Sequence, residues 1–172
     1  IGSAIGLTVD SRDHIFIIHR PESLNSQLEA GAATVPPTAD CCIPAPHILE
    51  FDPAGNLVGH FGGPGEGYDW PESNHGITAD PKDNLWIGAM GRDDSHILVF
   101  SREGNFLHQV GSPRARRPED YREDKPKWIR NSHDRESFGR VAEISFSADT
   151  NEAFVADGYL NTYYTLVEPD KR

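Results

Sequence analysis

Three side chains in this chain combine a reactive type with the edge of an apolar run: Arg20, His75 and Tyr159. His75 opens a run directly after a turn, Arg20 closes an alternating one, and Tyr159 follows Asp157-Gly158 where a third run ends. An imidazole in such a place either ligates a metal or bonds to backbone at the start of a strand. A guanidinium either forks onto a carboxylate or forms a structural ion pair. A phenol either takes a proton or packs with its hydroxyl on a backbone partner. The other histidines, His14, His19, His47, His60, His96, His108 and His133, are scattered without ligand-like spacing. His19 stands beside Arg20, and we read the remaining six as structural or exposed. Asp10, Asp52 and Asp80 stand where runs meet turns, and carboxylates there accept backbone N–H groups, so they are turn formers first. Trp70, Trp86 and Trp128 suit core or interface packing.

Several chemistries find no footing. There is no Gly-x-Ser-x-Gly elbow and no His-Glu-x-x-His pair, so serine-hydrolase and zincin readings have no support. The segment Gly62-Gly63-Pro64-Gly65-Glu66-Gly67 lacks the Lys-Ser/Thr of a phosphate loop. A net charge of -11 argues against a general nucleic-acid binder. The one basic cluster, Arg114-Ala115-Arg116-Arg117, is answered by Glu119, Asp120, Glu123 and Asp124, as in a solvated loop. The two cysteines, Cys41 and Cys42, are neighbours and cannot staple distant elements. Two reduced thiols in a loop is the plain reading. A vicinal disulfide would close a small strained ring, and a metal pair lacks further cysteines.

The elements that must position these residues are strands. No run of 18 apolar residues exists to span a membrane, and no stretch shows clear helical periodicity. Between 70 and 111 lie four short apolar runs, 76–79, 85–87, 97–100 and 106–110. They are separated by Asp80-Pro81-Lys82-Asp83-Asn84, Gly91-Arg92-Asp93-Asp94 and Arg102-Glu103-Gly104-Asn105. β-branched and aromatic runs bounded by Asp, Asn, Gly and Pro are strands joined by tight turns. Four of them in about 42 residues make one antiparallel sheet the size of a propeller blade.

The unit recurs. An earlier copy occupies about 1–63, the central one 64–111, and a later copy with its fourth strand missing 138–172. Long polar insertions at 20–46 and 112–137 read as surface loops. The expected fold is all-β, a partial propeller of about three four-stranded blades. Closed propellers carry about four to eight blades, so the missing ones come from the rest of a longer chain or from a second copy. No leader is visible, and the start at strand-like 5–9 fits removal of a leader or upstream segment. We expect a secreted or periplasmic location.

The phrases IGLTVDSRDHIFIIHR, CCIPAPHILEFDPAGNLVGHFGGPGEGYDWPESNHGITADPKDNLWIGA and RVAEISFSADTNEAFVADGYLN carry a family likeness. His19-Arg20 ends a second strand, Asn74-His75-Gly76 opens the next blade, and Asp157-Gly158-Tyr159 falls in the third. In this combination the chain resembles NHL-repeat propellers, and within them the peptidyl-α-hydroxyglycine α-amidating lyases and their bacterial relatives. That resemblance implies a six-bladed ring with zinc in its channel and calcium deeper. The implied reaction splits a C-terminal α-hydroxyglycine into a peptide amide and glyoxylate. It places His75 as a zinc ligand, Arg20 as the active-site arginine and Tyr159 as the base. Leu7 and Ile77 fall where the family offers backbone carbonyls to calcium. Gly139 and Leu160 stand where the family has a cysteine pair, and two further zinc histidines belong to later blades. The implied ligand is a small peptide-like substrate. The alternatives are a non-catalytic propeller binding a protein or ligand on its loop face, and a calcium-dependent propeller lactonase or hydrolase.

Overall fold

A single turn chemistry shapes the hairpins. In the first, Oδ1 of Asp10 accepts the amides of Arg12 and His14 at 2.9 and 2.8 Å. Asp52 does the same for Ala54 and Asn56 at 3.0 and 2.8 Å, and Asp80 for Lys82 and Asn84 at 2.8 Å each. The side chain supplies the acceptor that a sheet ladder would otherwise provide, which stops the strand and starts the turn. The residue two places before each return strand then takes positive φ: Asp13 at 61°, Gly55 at 85°, Asp83 at 64° and Gly104 at 85°. Asp, Asn and Gly tolerate that left-handed geometry best.

The computed structural model describes residues 1–114, 137–159 and 163–167. Most of the expected second loop, with Arg116, Arg117, Trp128 and His133, lies outside them, as do Leu160 and Asn161. The described residues are all-β apart from two short 3-10 turns, Pro21–Ser23 and Gly31–Ala33. Strands β1 (Ser3–Val9), β2 (Ile15–Arg20), β3 (Ile48–Phe51) and β4 (Leu57–Phe61) form one antiparallel sheet in chain order. Strands β5 (Asn74–Ala79), β6 (Leu85–Ala89), β7 (His96–Phe100) and β8 (Phe106–Gly111) form the second. Strands β9 (Glu143–Phe146), β10 (Ala153–Asp157) and β11 (Tyr163–Val167) form the third. No helix among the described residues is long and apolar enough to cross a membrane.

The first strands of the three sheets lie side by side. Thr8 Oγ1 accepts the Ala79 amide at 3.0 Å, and Thr78 Oγ1 donates to the Ile144 carbonyl at 2.8 Å. One hydroxyl position thus stitches β1 to β5 and β5 to β9. The approach is close because Gly6 and Gly76 face each other. A Cβ on Gly6 would stand 3.0 Å from the Gly76 Cα and 3.2 Å from the Ile77 nitrogen.

Behind these strands the sheets pack face to face over two apolar layers. Phe16, Ile18 and Ile48 of the first sheet meet Ile77, Leu85, Ile87, Leu98 and Phe100 of the second. Trp86, Ile97 and Val99 on the other face of the second sheet meet Val141, Ile144, Ala153 and Val155. Trp86 fills the second layer and gives its indole N–H to Asp80 at 3.1 Å, so its one polar atom is satisfied.

An ion network ties the first two sheets at one end. Arg102 donates to Asp10 at 2.6 Å and to Glu50 at 2.7 Å, and Glu50 also meets His14 at 2.7 Å. The long segment after Arg20 carries the cysteines. Cys41 and Cys42 are joined to each other in a vicinal disulfide, and both are exposed. That corrects the plain reading of two free thiols.

Candidate functional site

Arg20, the last residue of β2, reaches across to the second sheet. Its Nε and Nη2 donate to the Asn74 carbonyl at 3.1 and 2.8 Å, and Nη2 also meets Met90 Sδ at 3.1 Å. Asn74, 1% exposed, answers by donating its side-chain N–H to the His19 carbonyl at 3.1 Å. The two exchanges clamp the end of β2 to the start of β5 and place Arg20 one residue from His75.

His75 sits half-buried on β5, opposite Gly88 of β6. Gly88 is required there, because a Cβ would run into the His75 carbonyl oxygen and stand 3.1 Å from Val141 Cγ1. His75 Nε2 lies 2.8 Å from the Tyr159 hydroxyl, with ring centroids 5.7 Å apart. Its Nδ1 is buried and has no hydrogen-bond partner among the described residues. Burial, and then the nearby Arg20 charge, hold the imidazole below its ordinary pKa. It is therefore neutral near pH 7, the form that ligates a metal or accepts a proton.

Tyr159 leaves the end of β10, where Asp157, 1% exposed, accepts the Gly139 amide at 2.6 Å. That carboxylate holds the segment entering the third sheet against the end of β10, and so sets where Tyr159 emerges. Tyr159 itself is 38% exposed and accessible to a ligand.

Arg20, His75 and Tyr159 thus come from three different sheets and meet at one end of the first strands. Below them a cavity of about 250 Å³ is lined by Leu7, His75, Gly76, Ile77 and Glu143. Leu7 and Ile77 hold equivalent places on β1 and β5, opposite Ile17 and Ile87, and both face this space. Sequence reasoning missed Asn74, Met90 and Glu143. Asn74 carried a usable signal, an amide directly before His75 at a strand start. The Met90 contact depends on how two sheets pack.

The other histidines are held by their surroundings. His19 is fully buried; its Nδ1 accepts the Gly2 amide at 3.1 Å, so Nε2 carries the hydrogen given to Pro46 at 2.8 Å. Burial keeps its pKa below the ordinary value. His96 gives Nε2–H to the Asp69 carbonyl at 2.7 Å, and His108 stacks edge-on to Trp86 at 5.8 Å. His47 lies 3.6 Å from Glu22 and 4.8 Å, ring to ring, from Trp70.

Among the described residues, no three His, Cys, Asp or Glu side chains gather as a metal site. Of Arg20, His75 and Tyr159, His75 alone offers zinc a suitable nitrogen, its Nδ1, which has no hydrogen-bond partner among the described residues. A larger cavity of about 600 Å³ shares none of these residues. Two of its acidic side chains are already engaged: Asp93 pairs with Arg114 at 3.4 Å, and Asp94 accepts the backbone amides of Glu72, Ser73 and Gly91 at 2.9, 3.0 and 2.6 Å. No family model and no curated protein matches the chain.

Proposed function

We propose that the three sheets are consecutive blades of an NHL-type β-propeller, with β1, β5 and β9 lining its channel. We further propose that Arg20, His75 and Tyr159 belong to the active site of a metal-dependent lyase. The reaction class is the cleavage of a C-terminal peptidyl-α-hydroxyglycine to a peptide amide and glyoxylate, or of a related small carbinol. The observation that carries this reading is the meeting of an arginine, a neutral histidine and an exposed tyrosine from three sheets at one end of the first strands, with His75 Nε2 and the Tyr159 hydroxyl 2.8 Å apart.

Each residue has a task that its setting favours. Arg20 is anchored through Nε and Nη2, which leaves Nη1 without a hydrogen bond among the described residues. The charge can still attract a substrate carboxylate. Tyr159, open to solvent and touching a neutral imidazole, is placed as its phenolate to take the carbinol proton and to return it to the leaving amide nitrogen. As that proton leaves, the C–O bond becomes the glyoxylate carbonyl, the C–N bond breaks, and the amide nitrogen regains a proton. Zinc held by His75, with further ligands from outside the described residues, would acidify the substrate hydroxyl. The backbone carbonyls of Leu7 and Ile77 would hold calcium, a hard cation that takes oxygen ligands.

The test is glyoxylate release from a peptidyl-α-hydroxyglycine by the zinc-supplemented protein, with elemental analysis of the same sample. Tyr159→Phe should lower kcat, Arg20→Met should mainly raise KM, and His75→Ala should remove both bound zinc and turnover. Glyoxylate release that survives His75→Ala and Tyr159→Phe would sink the lyase reading. A folded, zinc-free and inactive protein would also sink it and leave the non-catalytic binding propeller.

A further inference from the structure

Arg140, just ahead of β9, carries a charge that the fold does not use. Its Nε is buried and has no hydrogen-bond partner among the described residues. None of the ion pairs among those residues engages it, whereas Arg102 and Arg114 each meet a carboxylate. A guanidinium stays charged at any physiological pH, and buried polar groups are nearly always paired. The backbone at Arg140 is unusual too. Its φ is 78°, in the left-handed region that a residue with a Cβ enters at a cost.

Its chain neighbours fix it beside Arg20, His75 and Tyr159. Gly139 gives its amide to Asp157 at 2.6 Å, two residues before Tyr159. Val141 is fully buried against Gly88, the residue opposite His75; a Cβ on Gly88 would stand 3.1 Å from Val141 Cγ1. Strands β5 and β9 run in the same direction with a constant stagger. A Cβ on Gly76 would stand 3.7 Å from the Ala142 carbonyl oxygen, and Thr78 donates to the Ile144 carbonyl at 2.8 Å. Two residues further back, the same stagger brings Arg140 level with Asn74, whose carbonyl anchors Arg20.

Arg20 by itself is poorly placed to fork a carboxylate. It spends Nε on the Asn74 carbonyl, and Nη2 on that carbonyl and on Met90 Sδ, so free hydrogens remain on Nη1 alone. A fork needs parallel N–H bonds from two nitrogens. A second guanidinium level with Asn74 supplies the missing donors. We infer, resting on the reading of Arg20, His75 and Tyr159 as one substrate site, that Arg140 is its second anion-binding arginine and shares with Arg20 the terminal carboxylate of a peptide-like substrate. That task explains both the unpaired charge and the left-handed backbone, since glycine would meet the backbone's needs more cheaply.

Isothermal titration with a tripeptide ending in glycine tests this without turnover, because that peptide carries the carboxylate but no hydroxyl to react. Its C-terminal amide is the control. The wild-type protein should bind the acid about tenfold or more tightly than the amide, as expected for a hydrogen bond to a charged group. Arg140→Gly, which suits a φ of 78° and so spares the fold, should weaken binding of the acid about tenfold and leave the amide unchanged. Arg140→Lys should recover part of the loss. Arg12→Gln, which removes one positive charge from an exposed turn, should change neither. Circular dichroism checks the fold, and Arg140→Gln replaces Arg140→Gly if the latter unfolds. Acid binding that survives the loss of Arg140 overturns the inference, as does equal binding of acid and amide, or binding of neither. Acid binding that depends on Arg140 in a protein that releases no glyoxylate would sink the lyase reading alone and leave Arg140 its role.

Discussion

Replacing Arg102 by Met tests whether the sheet-to-sheet contact is held electrostatically as well as by the apolar layer. Met keeps much of the stem that lies over Phe16, where the guanidinium carbon is 5.5 Å from the ring centroid. What goes is the cation shared by Asp10 and Glu50, at 2.6 and 2.7 Å. The three side chains are 12%, 0% and 14% exposed, so solvent replaces the lost partner poorly. Removing one member of a buried pair costs about 3–5 kcal/mol, against about 0–1 for an exposed one. The network lies at the end of the interface, where water screens part of it. Asp10 also keeps the Arg12 and His14 amides. We therefore expect a loss of about 2–3 kcal/mol at pH 7, between those two cases.

The pH dependence sharpens that test. Burial alone would raise the Asp10 pKa, but the His14 and Arg12 amides and Arg102 outweigh it and hold the carboxyl below its ordinary value. A depressed carboxyl contributes stability above its unfolded pKa of about 3.9 and loses it as pH falls through the folded value. Part of that contribution is Arg102's, so the gap between variant and wild type should narrow on going from pH 7 to pH 3. Urea unfolding at both values measures it. A loss below about 1 kcal/mol at pH 7, or a gap that widens in acid, would refute the reasoning.

Burial elsewhere in the fold has two further consequences. Burial holds His19, His47 and His75 below the ordinary histidine pKa. The unfolded chain therefore binds more protons from about pH 6.5 downward, and stability should fall with pH until the folded values are passed; a urea midpoint unchanged from pH 7.5 to 5.5 would contradict this. Gly88→Ala should cost about 1–3 kcal/mol, because β5 must move away from the new methyl, and it should shift the His75 ring resonances. An alanine variant as stable as wild type would show that β5 is not held where the Gly88 register places it.

Much of the fold was legible in the chain because its turns are local. Asp10, Asp52 and Asp80 satisfy amides two and four residues ahead, so each hairpin is specified within five residues. The alternation that follows each turn then fixes which side chains share a face. The boundaries shifted where tertiary partners extend a strand: β5 begins at Asn74, and β6 runs on to Ala89.

Arg20, His75 and Tyr159 could be chosen from the chain by residue type and by their places at strand ends. Their meeting could not. His75 and Tyr159 are 84 positions apart, and they touch because Thr8 and Thr78 stitch three first strands together while Gly6 and Gly88 let the backbones close in. The Arg20–Asn74 clamp likewise joins residues 54 apart through a backbone carbonyl, an acceptor every residue offers and no sequence pattern marks. Short-range hydrogen bonds determined the strands and their faces; side-chain volume between the sheets decided which strand ends would share a site.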